Sequence, residues 1–193
     1  MPFDIPTFNQ NLNQYGTSSA NKYDVNIALP PILQSVSGNA SFPYVNLFAQ
    51  MIPFRALSCS TPGGAFLNVE THKLGVGPRI KQPFNIAFAD LRMTMLGDSQ
   101  QIIEKTMMLW MNAVYNFSFD STNSATFLTN YRSIIASSQI TINKYDYDGS
   151  IITTYNIMNC VPMVFVAQPL EWENTNSLNK LTASFHYISY SIN

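Results

Sequence analysis

The spacing of apolar residues changes once along this chain, within Leu91–Asn116, and the other elements arrange themselves around that change. Leu91, Met93 and Met95 alternate with Arg92 and Thr94, which predicts a strand with one face on a core. Beyond it Ile103, Met107, Trp110, Met111 and Val114 recur at helical spacing and form one wide apolar stripe. Gly97-Asp98 marks the join. An Asp there accepts hydrogen bonds from the first free amides of a helix, and Gln101 stands where it can reach back to the cap. The stretch therefore predicts a strand, a cap and one helix of about five turns.

Before it, residues 1–21 form a polar arm punctuated by Pro2, Pro6 and Gly16, and the domain itself runs from 22 to 193. Tyr23, Val25, Ile27 and Leu29 alternate with polar or small residues as a strand that Pro30-Pro31 stops. Residues 31–48 show no steady period and read as a loop insertion, and Met51–Ser60 reads as a strand that Pro53 confines to an edge or breaks. Phe66–Thr71 and Ile80–Ala89 read as the arms of a long hairpin joined by His72, Lys73, Leu74, Gly75, Val76, Gly77, Pro78 and Arg79. A hairpin that leaves a compact body has edges it cannot satisfy alone, so this connection is expected to touch a neighbouring subunit.

After the helix, Phe117–Thr129 reads as a loop. Ile134–Tyr145 and Ser150–Met158 then flank Asp146-Tyr147-Asp148-Gly149, a strong local hairpin signal because Asp-Gly takes up the backbone twist of a tight turn. Val161–Val166 is a further strand. In Leu181–Ile192 the apolar phase runs through Leu181, Ala183, Phe185 and Tyr187, then moves to Ile188, Tyr190 and Ile192, which predicts a bulge or a strand covered on both faces. Hairpin connections dominate, so the fold class is mainly β: an antiparallel sandwich or barrel with one flanking helix.

Charge sharpens this picture. Asp, Glu, Lys and Arg make up 11% of the 193 residues, against about 25% in ordinary soluble domains. A surface so poor in charge does little to keep copies apart, which favours a subunit of an assembly. The net charge of −1 and the lack of any Lys/Arg run argue against reading of DNA sequence. Neither a membrane span nor the blocks of a signal peptide stand out, so a cytoplasm-like compartment is expected.

Catalytic chemistry finds little footing. His72 and His186 have no Cys or carboxylate at metal-ligand spacing, and Cys59 and Cys160 read as isolated buried thiols. Gly75-Val-Gly77 lacks the Lys-Ser/Thr and helix of a phosphate loop. Cys160 sits in a strand-like run where a thiol is a small apolar filler, and no elbow motif presents a serine. Asp146 and Asp148 are explained as turn residues, and Glu171 and Glu173 as a solvated face beside Trp172. The chain reads as a non-enzyme without cofactor or metal.

Taken in order, the segments resemble the tail tube protein family of contractile-tailed bacteriophages. The resemblance is carried by the Tyr23–Leu29 strand entered from a polar arm, the glycine-containing hairpin Phe66–Ala89, and the strand-cap-helix unit Leu91–Asn116 with Asp98 and Trp110. The Tyr131–Asn156 hairpin with Asp148-Gly149 and the ending from Pro169-Leu-Glu-Trp172 to Ile192 complete it. It implies the phage tail-tube fold, with six copies closing edge to edge into a ring and rings stacking into a tube that conducts DNA. Sheath and baseplate partners follow, as does a place in the virion tail after assembly in the host cytoplasm. The arm and the 31–48 insertion exceed the plainest family members, which keeps a tube initiator or baseplate-proximal ring as the alternative. A passive passage needs an inner wall without phosphate-binding cations, and strand positions facing away from the core supply candidates: Asn26, Thr141, Asn143, Thr182 and Ser184. From another class, a carbohydrate-binding β-sandwich would use the aromatic-rich Phe117–Tyr131 as a stacking surface.

Overall fold

A computed structural model describes residues 21–31, 33, 44–71, 80–114, 137–166 and 178–193. Within them lie ten strands and two helices: β1 (Tyr23–Ala28), α1 (Tyr44–Arg55), β2 (Ala56–Cys59), β3 (Gly64–Thr71), β4 (Ile80–Phe88), β5 (Leu91–Leu96), α2 (Ile102–Val114), β6 (Gln139–Tyr145), β7 (Ile151–Met158), β8 (Val161–Phe165), β9 (Lys180–His186) and β10 (Ser189–Ile192). The first sheet has the order β1-β6-β7-β10, the second β2-β5-β9-β8, and β3-β4 stand as a separate ribbon. Every pairing is antiparallel.

Alternation explains the two sheets. Val25, Ile27, Ile140, Ile142 and Ile157 of the first and Leu91, Met93, Met95, Leu181, Ala183 and Phe185 of the second all enter one buried cluster. From α2, Ile103, Met107 and Trp110 join it, with the Trp110 ring 6.0 Å from Phe185. Burying side chains of this size stabilises by roughly 1.5–3 kcal/mol each, so this cluster dominates the fold.

The strand-cap-helix unit forms as its local pattern predicts. Asp98 accepts hydrogen bonds from the amides of Ile102 and Ile103 at 2.9 and 3.3 Å. Gln101, expected to reach back to the cap, takes a left-handed φ of 55° and offers its carbonyl to Lys105 N at 2.9 Å. Gly97 lies where two segments cross. Its amide donates to Asn179 O at 2.7 Å, and a Cβ on it would meet Asn179 side-chain atoms at 3.0–3.1 Å.

Two expectations need correction. The flanking helix is not single: α1 occupies part of the predicted insertion and the first half of the predicted Met51–Ser60 strand, leaving only Ala56–Cys59 extended. Val45, Phe48 and Ile52 recur one turn apart and are buried, but the helix straddles the boundary between the two predicted segments, which split its period. Pro53 is accommodated because the helix ends two residues later, so its ring disturbs only the last turn. The second correction concerns Leu181–Ile192, which is neither a bulged strand nor one covered on both faces. It is two strands in two sheets, and the phase shift at the buried Tyr187 is where the chain steps across. The chain also steps between the sheets from β7 to β8, where Asn159 holds φ 59° and the hydroxyl of Ser138 donates to the carbonyl of Cys160.

Candidate assembly and lumen surfaces

Among the described residues, the first sheet ends in two strands that no further strand covers, β1 and β10. The carbonyl of Lys22 accepts from Tyr145 N, so even-numbered residues of β1 bond inward to β6. Tyr23, Val25 and Ile27 therefore aim their amides and carbonyls at the open edge. The reciprocal bonds between Asn193 and Thr154 set the phase of β10 in the same way, leaving Tyr190 and Ile192 to face outward.

The face of this sheet turned from the core is a polar lattice. Its register places Asn26 opposite Thr141 and Thr141 opposite Asn156, while the adjacent row runs Asp24, Asn143, Thr154. Gln139 Nε2 lies 3.4 Å from Thr141 Oγ1 and 3.3 Å from Asn156 Oδ1, Thr141 Oγ1 donates to the same oxygen at 3.3 Å, and Thr154 Oγ1 donates to Asn143 Oδ1 at 3.0 Å. The bonds run within each row and from Gln139 into the first, and none of these residues is a cation. Asp24 is their one carboxylate, and it accepts from Tyr145 OH at 3.0 Å. Desolvation and that carboxylate push the Tyr145 hydroxyl up, so the donor stays protonated. Apolar exposure on this face is confined to the two ends of β7, at Ile152 and Met158.

Asn26, Thr141 and Asn143 are thus brought together, whereas Thr182 and Ser184 lie on the outer face of the second sheet. There Thr182 faces Thr94 at 3.4 Å between hydroxyl oxygens, and Ser184 faces Arg92. His186 sits nearby, 3.3 Å from an exposed Asp90 carboxylate. Gln139, Thr154 and Asn156 belong with the first group but were missed from sequence. The alternation of Ile151–Met158 and Gln139–Tyr145 carried their signal, and only the register of β6 on β7 shows that they are neighbours.

The ribbon β3-β4 is rooted by its aromatic base. Phe88 lies 5.5 Å from Tyr187 and 5.7 Å from Tyr190, and Tyr187 OH donates to Gly63 O at 3.2 Å. The eight residues His72–Arg79 expected to contact a neighbour join its arms and lie outside the described residues, as do the arm 1–20 and the Phe117–Thr129 loop. Farther out, Lys81 and Glu70 face each other at 3.8 Å.

Reactive chemistry does not gather anywhere in this part of the molecule. No group of three or more metal-ligating side chains occurs among the described residues. Burial pushes both thiols up to about 12, far from the range of a nucleophilic cysteine. No described helix is long and apolar enough to cross a membrane.

Three solved structures share this fold over nearly the whole chain. A chain of the anti-feeding prophage baseplate matches with TM-score 0.58 at 9% identity, covering 92% of this chain and 95% of that one. A sheath/tube terminator of an extracellular contractile injection system matches with TM-score 0.58 at 12% identity, over 92% and 96%. The sheath-tube complex of that kind of system gives 0.56 at 12% identity, over 95% and 96%. No curated protein sequence matches. The model of the phage tail tube protein family matches residues 18–193, and with the open-edged antiparallel fold this establishes that the chain belongs to that family of structural tail components.

Proposed function

We propose that this chain is the repeating subunit of a tail tube, built as stacked hexameric rings through which DNA passes. The observation that carries the reading is the first sheet: four strands, open at β1 and β10, with a polar lattice of amides and hydroxyls and the single carboxylate of Asp24 on the face turned from the core. Because four is even, β1 and β10 run in opposite directions. A rotation about a ring axis keeps each strand's sense, so β10 of one copy meets β1 of the next antiparallel, and the alternation continues around the ring. A heterologous contact of this kind closes into a ring when its rotation divides the circle.

The passage is then lined by Asn26, Thr141 and Asn143 with Gln139, Thr154 and Asn156. A DNA backbone sliding past these six residues finds no cation that would release its counterions and hold it; Lys22, farther along the same face, is occupied at the β6-β7 turn, where its Nζ donates to Tyr147 O at 3.0 Å. Thr182 and Ser184, on the second sheet, lie on the wall away from the passage. The His72–Arg79 loop reaches a neighbouring subunit, sheath and baseplate proteins cover the outside, and the subunit takes its place in the virion tail after assembly in the host cytoplasm. A tube initiator or baseplate-proximal ring is the second reading, favoured by the match to a baseplate chain at the same TM-score as to a tube terminator.

Negative-stain microscopy and sedimentation of the purified chain test the first reading. Sixfold rings or tubes are expected, and a clean monomer at every concentration overturns it. Removing 72–79 is expected to leave folded monomers that do not polymerise, and normal assembly by that variant excludes the loop from the contact. Lysines at Thr141 and Asn143 are expected to slow DNA ejection from intact tubes, and ejection at the normal rate moves the lumen to another face.

A further inference from the structure

Helix α1 is apolar on two sides. Val45, Phe48 and Ile52 are buried in the core, yet Leu47, Met51 and Phe54 form a second stripe at i, i+4, i+7 beside them. Phe54 is 90% exposed, and Leu57 continues the patch onto β2. A helix with apolar residues around most of its circumference is one that is covered on both sides. Among the described residues, its own domain covers the first side and, of the second, only Met51, which packs partly on the core and leaves Leu47 and Phe54 exposed.

The matching surface lies on the opposite flank. Phe66 pairs with Ile86 across the β3-β4 ribbon, and the register shift after Leu67 leaves Phe84 as the extra residue between Asn85 and Pro83. A bulge of this type turns both residues of the longer strand to the same side, so Phe84 and Pro83 join Phe66 and Ile86 on one face. Phe66 and Phe84 are 68% and 64% exposed. At its root that face runs into Phe88, which stacks near Tyr190 of β10. Helix α1 packs on β1 and the ribbon is rooted beside β10, so the two patches flank opposite edges of the first sheet, three strand spacings or about 14 Å apart.

Resting on the reading of this chain as a ring-forming subunit, we infer that the ribbon's Phe66–Phe84–Ile86 face docks on the α1 shoulder of the next copy, with Phe54 as the anchor. Two unlike apolar patches on opposite flanks suit a heterologous contact, whereas a single self-complementary patch gives a dimer. Aromatic side chains bury about 150–250 Å² each, so Phe66 and Phe84 on one partner and Phe54 on the other supply several hundred Å² together, a substantial part of the roughly 1,600 Å² total in a stable interface. The contact sits beside the β10–β1 seam and would clamp it from one side.

The test uses two full-length variants, Phe54→Asp and Phe84→Asp, each checked by circular dichroism and urea melting for an unchanged monomer fold. Each alone is expected to raise the concentration at which the chain assembles by at least about tenfold, the loss that follows from removing a central aromatic anchor. Mixed one to one, they are expected to form heterodimers that grow no further, because the pair retains one intact patch of each kind. Phe54→Cys and Phe84→Cys chains, mixed and oxidised, should give a cross-linked dimer. If wild-type chains assemble and Phe54→Asp assembles at the same concentration, the inference is wrong while the tube reading stands. Folded variants that fail to form heterodimers also overturn it, since the patches then serve different contacts. Wild-type chains that never assemble refute the tube reading itself.

Discussion

Replacing Thr106 with Val should make this protein more stable, although it removes a polar atom from a helix. Thr106 is fully buried in α2, and its hydroxyl oxygen has no hydrogen-bond partner. A buried hydroxyl without a partner costs about 1–3 kcal/mol relative to water. Valine puts a methyl group in the same volume, removing that cost and adding apolar burial, while the helix propensities of the two residues are nearly equal. The expected gain is about 1–2 kcal/mol, which in a domain of this size raises Tm by about 2–8 °C. Urea unfolding must be run below the assembly concentration, because self-association raises apparent stability by mass action. The midpoint should then increase at constant slope. Thr106→Ser provides the contrast: it keeps the unpaired hydroxyl, loses the methyl, and should lower stability by about 1 kcal/mol. A valine variant less stable than wild type would show that the hydroxyl is satisfied and that polar accounting of this core is mistaken.

Asp98→Ala removes the acceptor of two helix-terminal amides and should cost about 1 kcal/mol in urea unfolding, with faster hydrogen exchange at Ile102 and Ile103. An unchanged midpoint would show that water caps the helix equally well. Gly149 turns the β6-β7 hairpin at φ +88°, and a Cβ there meets nothing within 4 Å. Gly149→Ala should therefore lose about 1 kcal/mol through backbone strain alone, and Gly149→Asn less, because Asn tolerates the left-handed region. Equal losses for both would refute that assignment. At pH 8 the fully buried Cys160 should react with iodoacetamide on the order of a thousandfold more slowly than an unfolded control, and the half-buried Cys59 should be protected less, although burial raises both to about 12 from the ordinary value near 8.5. The native value lies above the unfolded one, so this contribution to stability is complete below about pH 8.5 and is lost as pH rises toward 12. Alkaline unfolding that begins above about pH 9 and is delayed by replacing both cysteines with alanine is the expected signature. Rapid alkylation of the folded chain would contradict the burial argument.

Elements specified by neighbours in sequence were legible, and those specified across the fold were not. The β5-α2 unit was readable because a period of two gives way to one of 3.6 within a few residues of Asp98, and the β6-β7 turn because Asp148-Gly149 leaves few other conformations. Helix α1 was hidden by its second apolar stripe: with Leu47, Met51 and Phe54 apolar as well as Val45, Phe48 and Ile52, no single face stands out, and Pro53 argues locally against a helix. The step between sheets at Tyr187 left a true trace, a shift of apolar phase, but a bulge leaves the same trace. Among the proposed lumen residues, their outward phase was visible while their grouping was not. Asn26 lies beside Thr141 only because β1 pairs with β6, a contact spanning more than a hundred residues.

That grouping changes what the low charge means. Spread evenly, 11% charged residues with exposed Phe, Ile and Leu side chains would describe a surface that sticks everywhere. The fold instead sorts them. The middle rows of the first sheet's outer face hold amides and hydroxyls that bond to one another, so a passing polymer is offered few free partners. Among the described residues the exposed phenylalanines gather on the two flanks, on α1 and on the β3-β4 ribbon. On the proposed reading of a tube subunit that adheres to its copies and lets DNA pass, this separation is needed, since the same side chain cannot do both. Exchanging the two surfaces, with aromatic residues at Thr141 and Asn156 and serine at Phe54 and Phe84, should therefore turn an assembling chain into one that binds cargo and stays unassembled.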